Sequence, residues 1–183
     1  MCEAQLPDNP QSNVSREVRF VLDVHLGKLA HHLRMLGFDT LYRNDFRKGE
    51  LIALSTTEGR ILLSRDRGLL ENPVLTRAYR ITQIDPRLQL LEVVRQLNLI
   101  GVMLPFSRCL LCNHKLRPVE KQSVLYRLPE KVRGLFDEFH LCPACDRIYW
   151  KGTHYEKMER FADGVVNELV RGQTDRENAS STP

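Results

Sequence analysis

No apolar stretch in the 183-residue chain approaches the roughly 20 residues that a membrane-spanning helix needs, so we expect no membrane partner. The opening residues MCEAQLPDNPQSNVS lack both the basic and the apolar segment of a secretory signal peptide. We therefore expect a cytoplasmic protein. Residues 1–15 are expected to form a flexible leader, and the polar residues 171–183 a frayed tail.

Charge of one sign is not in large excess. The chain has 27 Lys and Arg against 23 Asp and Glu, which gives a formal net charge of +4. Such a balance permits a nucleic-acid partner without requiring one. Neither an internal repeat nor a low-complexity segment is visible, and a hydrophobic content of 42% is ordinary for a globular protein. The composition therefore predicts one or two ordinary domains.

Strand-like and helix-like patterns alternate over residues 18–99. The strand candidates are VRFVLDV, FDTLYR, RILLS and AYRITQI. After the first of them, Leu26, Leu29 and Leu33 recur at helical spacing. After the last, Asp85 and Pro86 are typical of the first residues of a helix. Alternation of this kind predicts an α/β fold with a mostly parallel sheet flanked by helices.

An aspartate stands at or shortly after the end of each predicted strand. The four residues are Asp23, Asp45, Asp66 and Asp85. Because the carboxyl ends of parallel strands share one edge of a sheet, these carboxylates would lie near one another and repel. A Mg²⁺ or Mn²⁺ ion relieves that repulsion, and it can polarise a phosphodiester while activating a water molecule. We predict that Asp23 and Asp66 are the principal metal ligands, and that Asp45 and Asp85 complete the acidic cluster directly or through water.

Each aspartate also has a structural alternative, because Asp is a favoured N-cap and every strand-to-helix turn has a place for one. Asp85 directly precedes Pro86, and Asp45 stands just before a predicted helix, so capping stays open for both. Glu50, near the start of that helix, could lean over the same site or interact with the helix dipole.

The two CxxC pairs form the sharpest motif in the chain. Cys109 and Cys112 are separated by 29 residues from Cys142 and Cys145. Four thiolates in this arrangement suit a tetrahedral Zn²⁺ ion, and their order resembles a zinc ribbon. Two disulfides or a redox pair are the alternative, which a reducing compartment disfavours. About fifty residues build only a small core, so we expect a structural zinc that the unit needs to fold. Cys2, in the leader, has no expected role.

Basic and aromatic residues suggest where a nucleic acid would bind. Residues 105–154 carry nine Lys or Arg against five Asp or Glu. Within them, Trp150, Lys151 and His154 could stack on bases and meet phosphates, or they could form the core and flank of the ribbon. Basic residues near the carboxyl edge of the sheet could hold backbone phosphates, or be ordinary surface charges. These residues are Lys28, Arg34, Arg65 and Arg67.

Four stretches of the chain together resemble a known family. They are FVLDVHLGKLAHHLRMLGFDT, ILLSRD, SRCLLCNHKL and CPACDRIYWKGTHYEKM. In this order they are similar to the Mut-seven C-terminal RNase family, in which a PIN-like nuclease domain precedes a zinc ribbon. The resemblance runs from about residue 19 to about residue 158, and it implies metal-dependent cleavage of RNA by clustered acidic residues.

The motifs of that family fall on identifiable residues. Its Asp-x-x-Leu-Gly element begins at Asp23, and its Leu-Thr-Arg-Asp element covers residues 63–66 with serine in place of threonine. Its Trp-x-Gly-Ser-His element covers residues 150–154 with threonine in place of serine. The basic and aromatic pair usual on the first helix is here His31 and His32, to which we assign no role.

These observations predict the organisation and the function of the chain. After the leader, we expect a PIN-like nuclease domain over residues 16–104, a zinc ribbon over residues 105–155, and a C-terminal helix and tail over residues 156–183. The expected function is an endoribonuclease that uses Mg²⁺ or Mn²⁺ and positions RNA partly with the ribbon. The alternative is a non-catalytic RNA-binding or ribosome-associated module with the same fold. Loss of a zinc ligand should loosen residues 105–155 and leave the α/β domain folded.

Overall fold

The core of the chain is a sheet of four parallel strands, in a computed structural model that describes residues 17–180 and the side chains of residues 17–172. The strands are β1 (Arg19–Leu22), β2 (Asp39–Leu41), β3 (Ile61–Ser64) and β4 (Ala78–Arg80). They lie in the order β2-β1-β3-β4, and every neighbouring pair is parallel. The flanking helices are α1 (Gly27–Met35), α2 (Lys48–Glu58), α3 (Arg67–Leu70) and α4 (Pro86–Gln96). The predicted α/β fold with a parallel sheet is therefore confirmed.

Successive side chains of β1 enter opposite layers of the fold. Phe20 and Leu22 belong to the larger core, together with residues of α1 and α4. Val21 points the other way and packs with Leu51 of α2 and Leu69 of α3. A strand that is buried on both faces reads as a continuous apolar run, as β1 and β3 do. The helices consequently cover both faces of the sheet.

Residues 105–152 form a second, smaller unit with its own sheet. The strands β5 (Arg117–Val119), β6 (Phe139–Leu141) and β7 (Ile148–Tyr149) pair antiparallel in that order. The short helices are α5 (Lys121–Val124) and α6 (Glu130–Leu135), and a 3₁₀ turn occurs at Leu125–Arg127. Another 3₁₀ turn, at Ile100–Val102, precedes this unit. Its fully buried apolar side chains are few, namely Val124, Leu128 and Phe139. Such a core is small for independent stability.

The last helix, α7 (Thr153–Ser180), returns to the α/β body after the ribbon. Its Ala162, Val165 and Leu169 join the larger core, and Glu168 pairs with Arg87 of α4 at 2.7 Å. The helix continues to Ser180, well into the expected tail, and it runs through Gly172. The predicted leader, with Cys2, lies outside the described residues. Among the described residues, no helix is long and apolar enough to cross a membrane.

A network of buried and half-buried polar side chains joins the α/β body to the first cysteine pair. Asp39, at the start of β2, accepts hydrogen bonds from Arg60 Nη1 at 2.6 Å and from Asn113 Nδ2 at 2.8 Å. Asn113 Oδ1 in turn accepts from the backbone N–H of Thr40 at 2.9 Å. Burial raises the pKa of Asp39, but the hydrogen bonds from Arg60 and Asn113 outweigh burial and hold that pKa below its usual value. We call Arg34, Asp39, Arg60, Arg108 and Asn113 the seam network.

The two remaining arginines of the seam network bind backbone carbonyl groups. Arg34 is only 7% exposed. Its Nε donates to a carbonyl oxygen of β2 at 3.0 Å, and its Nη1 donates to the carbonyl oxygens of Leu110 and Leu111 at 3.2 and 2.7 Å. Arg108 Nε donates to the carbonyl oxygen of Gly37 at 3.1 Å. The backbone at the first cysteine pair is therefore held by a helix of the α/β body.

The seam network corrects two expectations from the sequence. Arg34 is buried and donates to carbonyl oxygens, so the phosphate contact predicted for it does not fit its position. The first cysteine pair is also not independent of the α/β body, because Asn113 and Arg108 share hydrogen bonds and ion pairs with Asp39. Loss of the cysteine cluster should therefore destabilise the α/β body as well.

We predict that Arg34→Met lowers the free energy of unfolding by about 2–4 kcal/mol, because carbonyl oxygens at the seam lose a charged donor. Arg67→Met is a matched control, since Arg67 is exposed and its one ion pair within the described residues is with Glu71, one helical turn away. That control should cost less than about 0.5 kcal/mol. Urea unfolding followed by circular dichroism measures both variants. Equal losses in the two variants would contradict a stabilising role for the seam network.

Candidate functional site

Asp23 lies directly after β1 and is only 4% exposed. Its Oδ1 accepts a hydrogen bond from the backbone N–H of His25 at 2.9 Å. Its Oδ2 accepts from the Ser64 hydroxyl and from the backbone N–H of Arg65 at 3.1 Å. The carboxylate is thus fixed at the carboxyl edge of the sheet by groups at the end of the neighbouring strand β3, an edge where open α/β folds bind ligands.

The Ser64 hydroxyl connects the two aspartates that the sequence singled out first. Ser64 is fully buried at the end of β3. Its Oγ donates to Asp23 Oδ2 and accepts a hydrogen bond from the backbone N–H of Asp66 at 2.9 Å. In the sequence, Ser64 is distinguished only by replacing the threonine of the family motif. Serine and threonine share a hydroxyl group, and this position needs a group that both donates and accepts a hydrogen bond. The shared hydroxyl was therefore the feature that could have identified Ser64.

Asp66 is the N-cap of a helix and also forms an ion pair. Its Oδ1 accepts from the backbone N–H of Leu69 at 3.1 Å, which makes it the N-cap of α3. Its Oδ2 lies 2.6 Å from Lys48 Nζ, at the start of α2. The hydrogen bond from Lys48, followed by the one from Leu69, holds the pKa of Asp66 below its usual value. Sequence reasoning missed Lys48, because nothing in its neighbourhood signals a contact with β3.

The other acidic residues make local interactions. Asp45 is exposed and pairs with Arg43 at 2.8 Å. Glu50 Oε2 accepts a hydrogen bond from the backbone N–H of Arg47 at 2.9 Å, so it caps the start of α2. Asp85 Oδ1 accepts from two backbone N–H groups, at 2.9 and 3.1 Å, and is the N-cap of α4. The capping alternative therefore describes Asp85 in this structure.

The four aspartates do not form one compact cluster of ligand atoms. Within residues 17–172, the one set of three or more cysteine, histidine or acidic side chains whose ligand atoms lie within 4.8 Å of one another consists of the four cysteines. Strand length explains the difference. The strands β2 and β4 end at Leu41 and Arg80, so Asp45 and Asp85 lie further along in the loops that lead to helices. Asp23 directly follows β1, and Asp66 comes two residues after the end of β3. Their roles remain a prediction.

The two cysteine pairs are built in the same way. In the first, Cys109 N–H donates to the carbonyl oxygen of His114, and Asn113 N–H donates back to that of Cys109. The second repeats both bonds, from Cys142 to Arg147 and from Asp146 to Cys142. Asn113 and Asp146 adopt positive φ angles of 72° and 58°, which Asn and Asp tolerate better than most residues. Both turns aim two sulfur atoms at one point.

The cysteine cluster has the dimensions of a metal site. Cys109 Sγ lies 3.6 Å from Cys145 Sγ, and Cys112 Sγ lies 3.3 Å from Cys142 Sγ. A tetrahedron of four bonds of about 2.3 Å to zinc has edges of about 3.8 Å, close to these separations. The distances are too long for disulfide bonds, and all four described cysteines are free thiols. The four cysteines could therefore hold a metal ion such as zinc.

Tyr149 supports this cluster from its side. Its hydroxyl lies 3.0 Å from Cys109 Sγ. Burial raises the pKa of the Cys109 thiol, but hydrogen bonds from Tyr149 and from backbone N–H groups outweigh burial and lower the pKa to about 6. The thiolate is the form that binds metals. Burial raises the pKa of the neighbouring Cys112 and Cys145 thiols, so among these three thiols the surroundings favour the thiolate at Cys109 alone.

The predicted nucleic-acid contacts lie on two parts of the surface. At the sheet edge, Lys28 and Arg65 are exposed, and Arg67 pairs with Glu71 at 3.0 Å. On the ribbon, His154 is exposed, Lys151 pairs with Glu138 at 2.8 Å, and Trp150 is half-buried against the small core. His31 is exposed on α1, while His32 stacks on Phe161 of α7 with ring centroids 4.7 Å apart.

The chain is an α/β protein with a parallel sheet and a four-cysteine cluster that could hold a metal ion. A family model described as the Mut7-C RNAse domain matches residues 18–162, which include the sheet, both cysteine pairs and the start of α7. The chain therefore belongs to the Mut7-C RNAse domain family, as its motifs predicted. Comparison with curated proteins and comparison with solved structures gave no match.

We predict that Lys48→Met raises the pKa of Asp66 toward the ordinary value for an aspartate, because the ammonium group that stabilises the charged carboxylate is removed. Carboxyl chemical shifts followed by NMR during a pH titration measure this change. Lys28→Met is the matched control, since Lys28 is exposed and makes no ion pair within the described residues. An unchanged Asp66 titration in Lys48→Met would show that the contact with Lys48 does not persist in solution.

Proposed function

We propose that the chain hydrolyses RNA phosphodiester bonds with a Mg²⁺ or Mn²⁺ ion bound at the carboxyl edge of the parallel sheet, chiefly by Asp23 and Asp66. The observation that carries this proposal is the connection of both residues through the Ser64 hydroxyl at that edge. Membership of a family described as an RNAse domain supports RNA as the substrate. The bound ion would polarise the phosphodiester and lower the pKa of a water molecule.

Two carboxylates are enough for such an ion. Mg²⁺ is usually held by one or two carboxylates together with substrate phosphates, and it keeps several of its waters. Asp66 is about 38% exposed, so its Oδ2 is accessible to an ion and to a substrate. An incoming ion would compete with Lys48 for Asp66, and the displaced ammonium group would be free to pair with a phosphate. Asp45 and Asp85 stay predicted contributors through bridging water.

The cleavage test compares the parent with Asp23→Asn on a mixed panel of RNAs in Mg²⁺ or Mn²⁺. We expect Asp23→Asn to lose at least about 100-fold in rate, because removal of a metal-binding carboxylate costs several kcal/mol of transition-state stabilisation. Asp163→Asn, at an exposed position of α7, removes the same charge far along the chain and should cleave like the parent. Cleavage by Asp23→Asn at the parent's rate would remove Asp23 from the proposed site.

Two observations favour a second function. The ammonium group of Lys48 already neutralises Asp66, and the described carboxylates form no set of three within ligand distance. Both facts suit a non-catalytic RNA-binding or ribosome-associated module that keeps the fold. RNA binding by the parent without cleavage in either metal ion would favour this alternative over the nuclease.

We also propose that the four-cysteine cluster holds a structural Zn²⁺ ion. Four protein thiolates leave no open position for water or substrate, which is the arrangement of a structural site. Zn²⁺ is well served by thiolates, whereas Mg²⁺ and Mn²⁺ prefer oxygen ligands, so the two proposed sites would not compete for their ions. The hydrogen bond between Tyr149 and Cys109 supports a ligand held in its charged form.

Elemental analysis of the purified chain should find about one zinc ion per chain. We expect Cys142→Ser to lose the zinc and to lower the thermal midpoint of the whole chain, because the first cysteine pair shares the seam network with the α/β body. Cys2→Ser removes a cysteine outside both CxxC pairs, and it should keep the zinc. A zinc-free parent with the same thermal midpoint as Cys142→Ser would contradict the structural zinc.

A further inference from the structure

A groove of about 620 Å³ lies between the ribbon sheet, the helix α1 and the start of α7. His31 reaches it from α1, Phe106 from the loop before the first cysteine pair, Arg147 and Trp150 from the ribbon, and Tyr155 from α7. The groove is therefore built by both units of the protein and by the helix that returns between them. We call it the ribbon groove.

Aromatic rings give the ribbon groove apolar walls. Phe106 and Tyr155 are in contact, with ring centroids 4.4 Å apart and planes tilted by 44°. Trp150 and Tyr149 come from the end of β7, and both are half-buried, so each ring keeps a part of its surface open to solvent. Open aromatic faces of this kind are the usual platforms on which unpaired nucleobases stack.

The charged residues of the ribbon groove are mostly basic. Arg147 is exposed and makes no ion pair within residues 17–172. The one acidic residue in the lining is Glu138, and Lys151 neutralises it at 2.8 Å. His31 and His154 add imidazole groups that can donate hydrogen bonds to phosphates or base edges. Outside the lining, Glu159 interacts with Tyr155 and Lys151. The positive charge that the groove offers to a phosphate-linked chain of bases is therefore that of Arg147.

We propose that the ribbon groove binds unpaired bases of single-stranded RNA, with Tyr155 and Trp150 as stacking surfaces and Arg147 as a phosphate contact. The proposal rests on the proposed function, because that function makes RNA the substrate. The volume lies within the roughly 300–1,000 Å³ of pockets for drug-sized ligands, which is room for one or two nucleotides. A duplex keeps its bases stacked and paired inside, so it cannot present them to these rings.

Trp150 is the single tryptophan of the chain, so intrinsic tryptophan fluorescence reports on this groove alone. The zinc-loaded full chain is titrated without added Mg²⁺ or Mn²⁺ with a single-stranded oligoribonucleotide of about eight nucleotides, within the usual site sizes for single strands. The comparisons are the same strand in a blunt duplex and an abasic strand of equal length and charge. We expect saturable quenching by the single strand, and little or none by the duplex or the abasic strand.

Two variants with matched controls test the residues. Tyr155→Ala should weaken single-strand binding by about tenfold or more, which corresponds to the loss of one stacking surface. Tyr126→Ala, at an exposed ribbon position outside the groove, should bind like the parent. Arg147→Ala should weaken binding and reduce its salt dependence, whereas Arg117→Ala, an exposed arginine of β5, should not. Circular dichroism and zinc content verify that each variant is folded.

The possible outcomes distinguish RNA binding in the ribbon groove from the proposed nuclease activity. Quenching by the single strand that Tyr155→Ala weakens, without cleavage by the parent in either metal ion, would support the groove and remove the nuclease. Cleavage by the parent, with no quenching and with Tyr155→Ala and Arg147→Ala binding RNA like the parent, would overturn the groove and keep the nuclease. Equal quenching by the abasic strand, or quenching by an unrelated peptide alone, would also overturn it.

Discussion

The carboxylate of Asp39 is the charge around which the two units of this protein are joined. It lies at the start of β2 and accepts hydrogen bonds from Arg60, next to β3, and from Asn113, in the turn of the first cysteine pair. A half-buried charge is tolerated only when it is paired and hydrogen-bonded, and these contacts meet that condition. Arg34, on α1, also donates to the carbonyl oxygens of Leu110 and Leu111, and these contacts hold the first cysteine pair in its orientation on the α/β body.

That orientation determines which residues form the ribbon groove. With the first cysteine pair held against the body, α7 can leave the ribbon and pack Val165 and Leu169 into the larger core. The return of α7 brings Tyr155 to Phe106 and closes one wall of the ribbon groove. The proposed RNA-binding surface and the proposed metal edge are therefore parts of one body, and a strand held by the groove would be constrained relative to Asp23.

Local patterns predicted much of the fold. The apolar runs of β1 and β3 read correctly as strands buried on both faces, and the CxxC spacing identified the four cysteines, because turns and strands are specified by nearby residues. The acidic cluster was harder to predict. Asp23 follows its strand directly, whereas Asp85 satisfies backbone N–H groups at the start of α4. Whether an aspartate caps a helix or lies at the sheet edge depends on how many residues separate it from the end of its strand. The sequence predicts the ends of strands only to within a few residues.

The sequence by itself determined the α/β class, the two cysteine pairs and the family, since each depends on residue type at a short and regular spacing. The tertiary structure decided which charges are buried, such as Arg34, and which are partners, such as Lys48 and Asp66. It also decided that the ribbon, the loop at Phe106 and α7 enclose one groove. These features join residues far apart in the chain, and no local pattern encodes them, because they arise only when separate elements pack against one another.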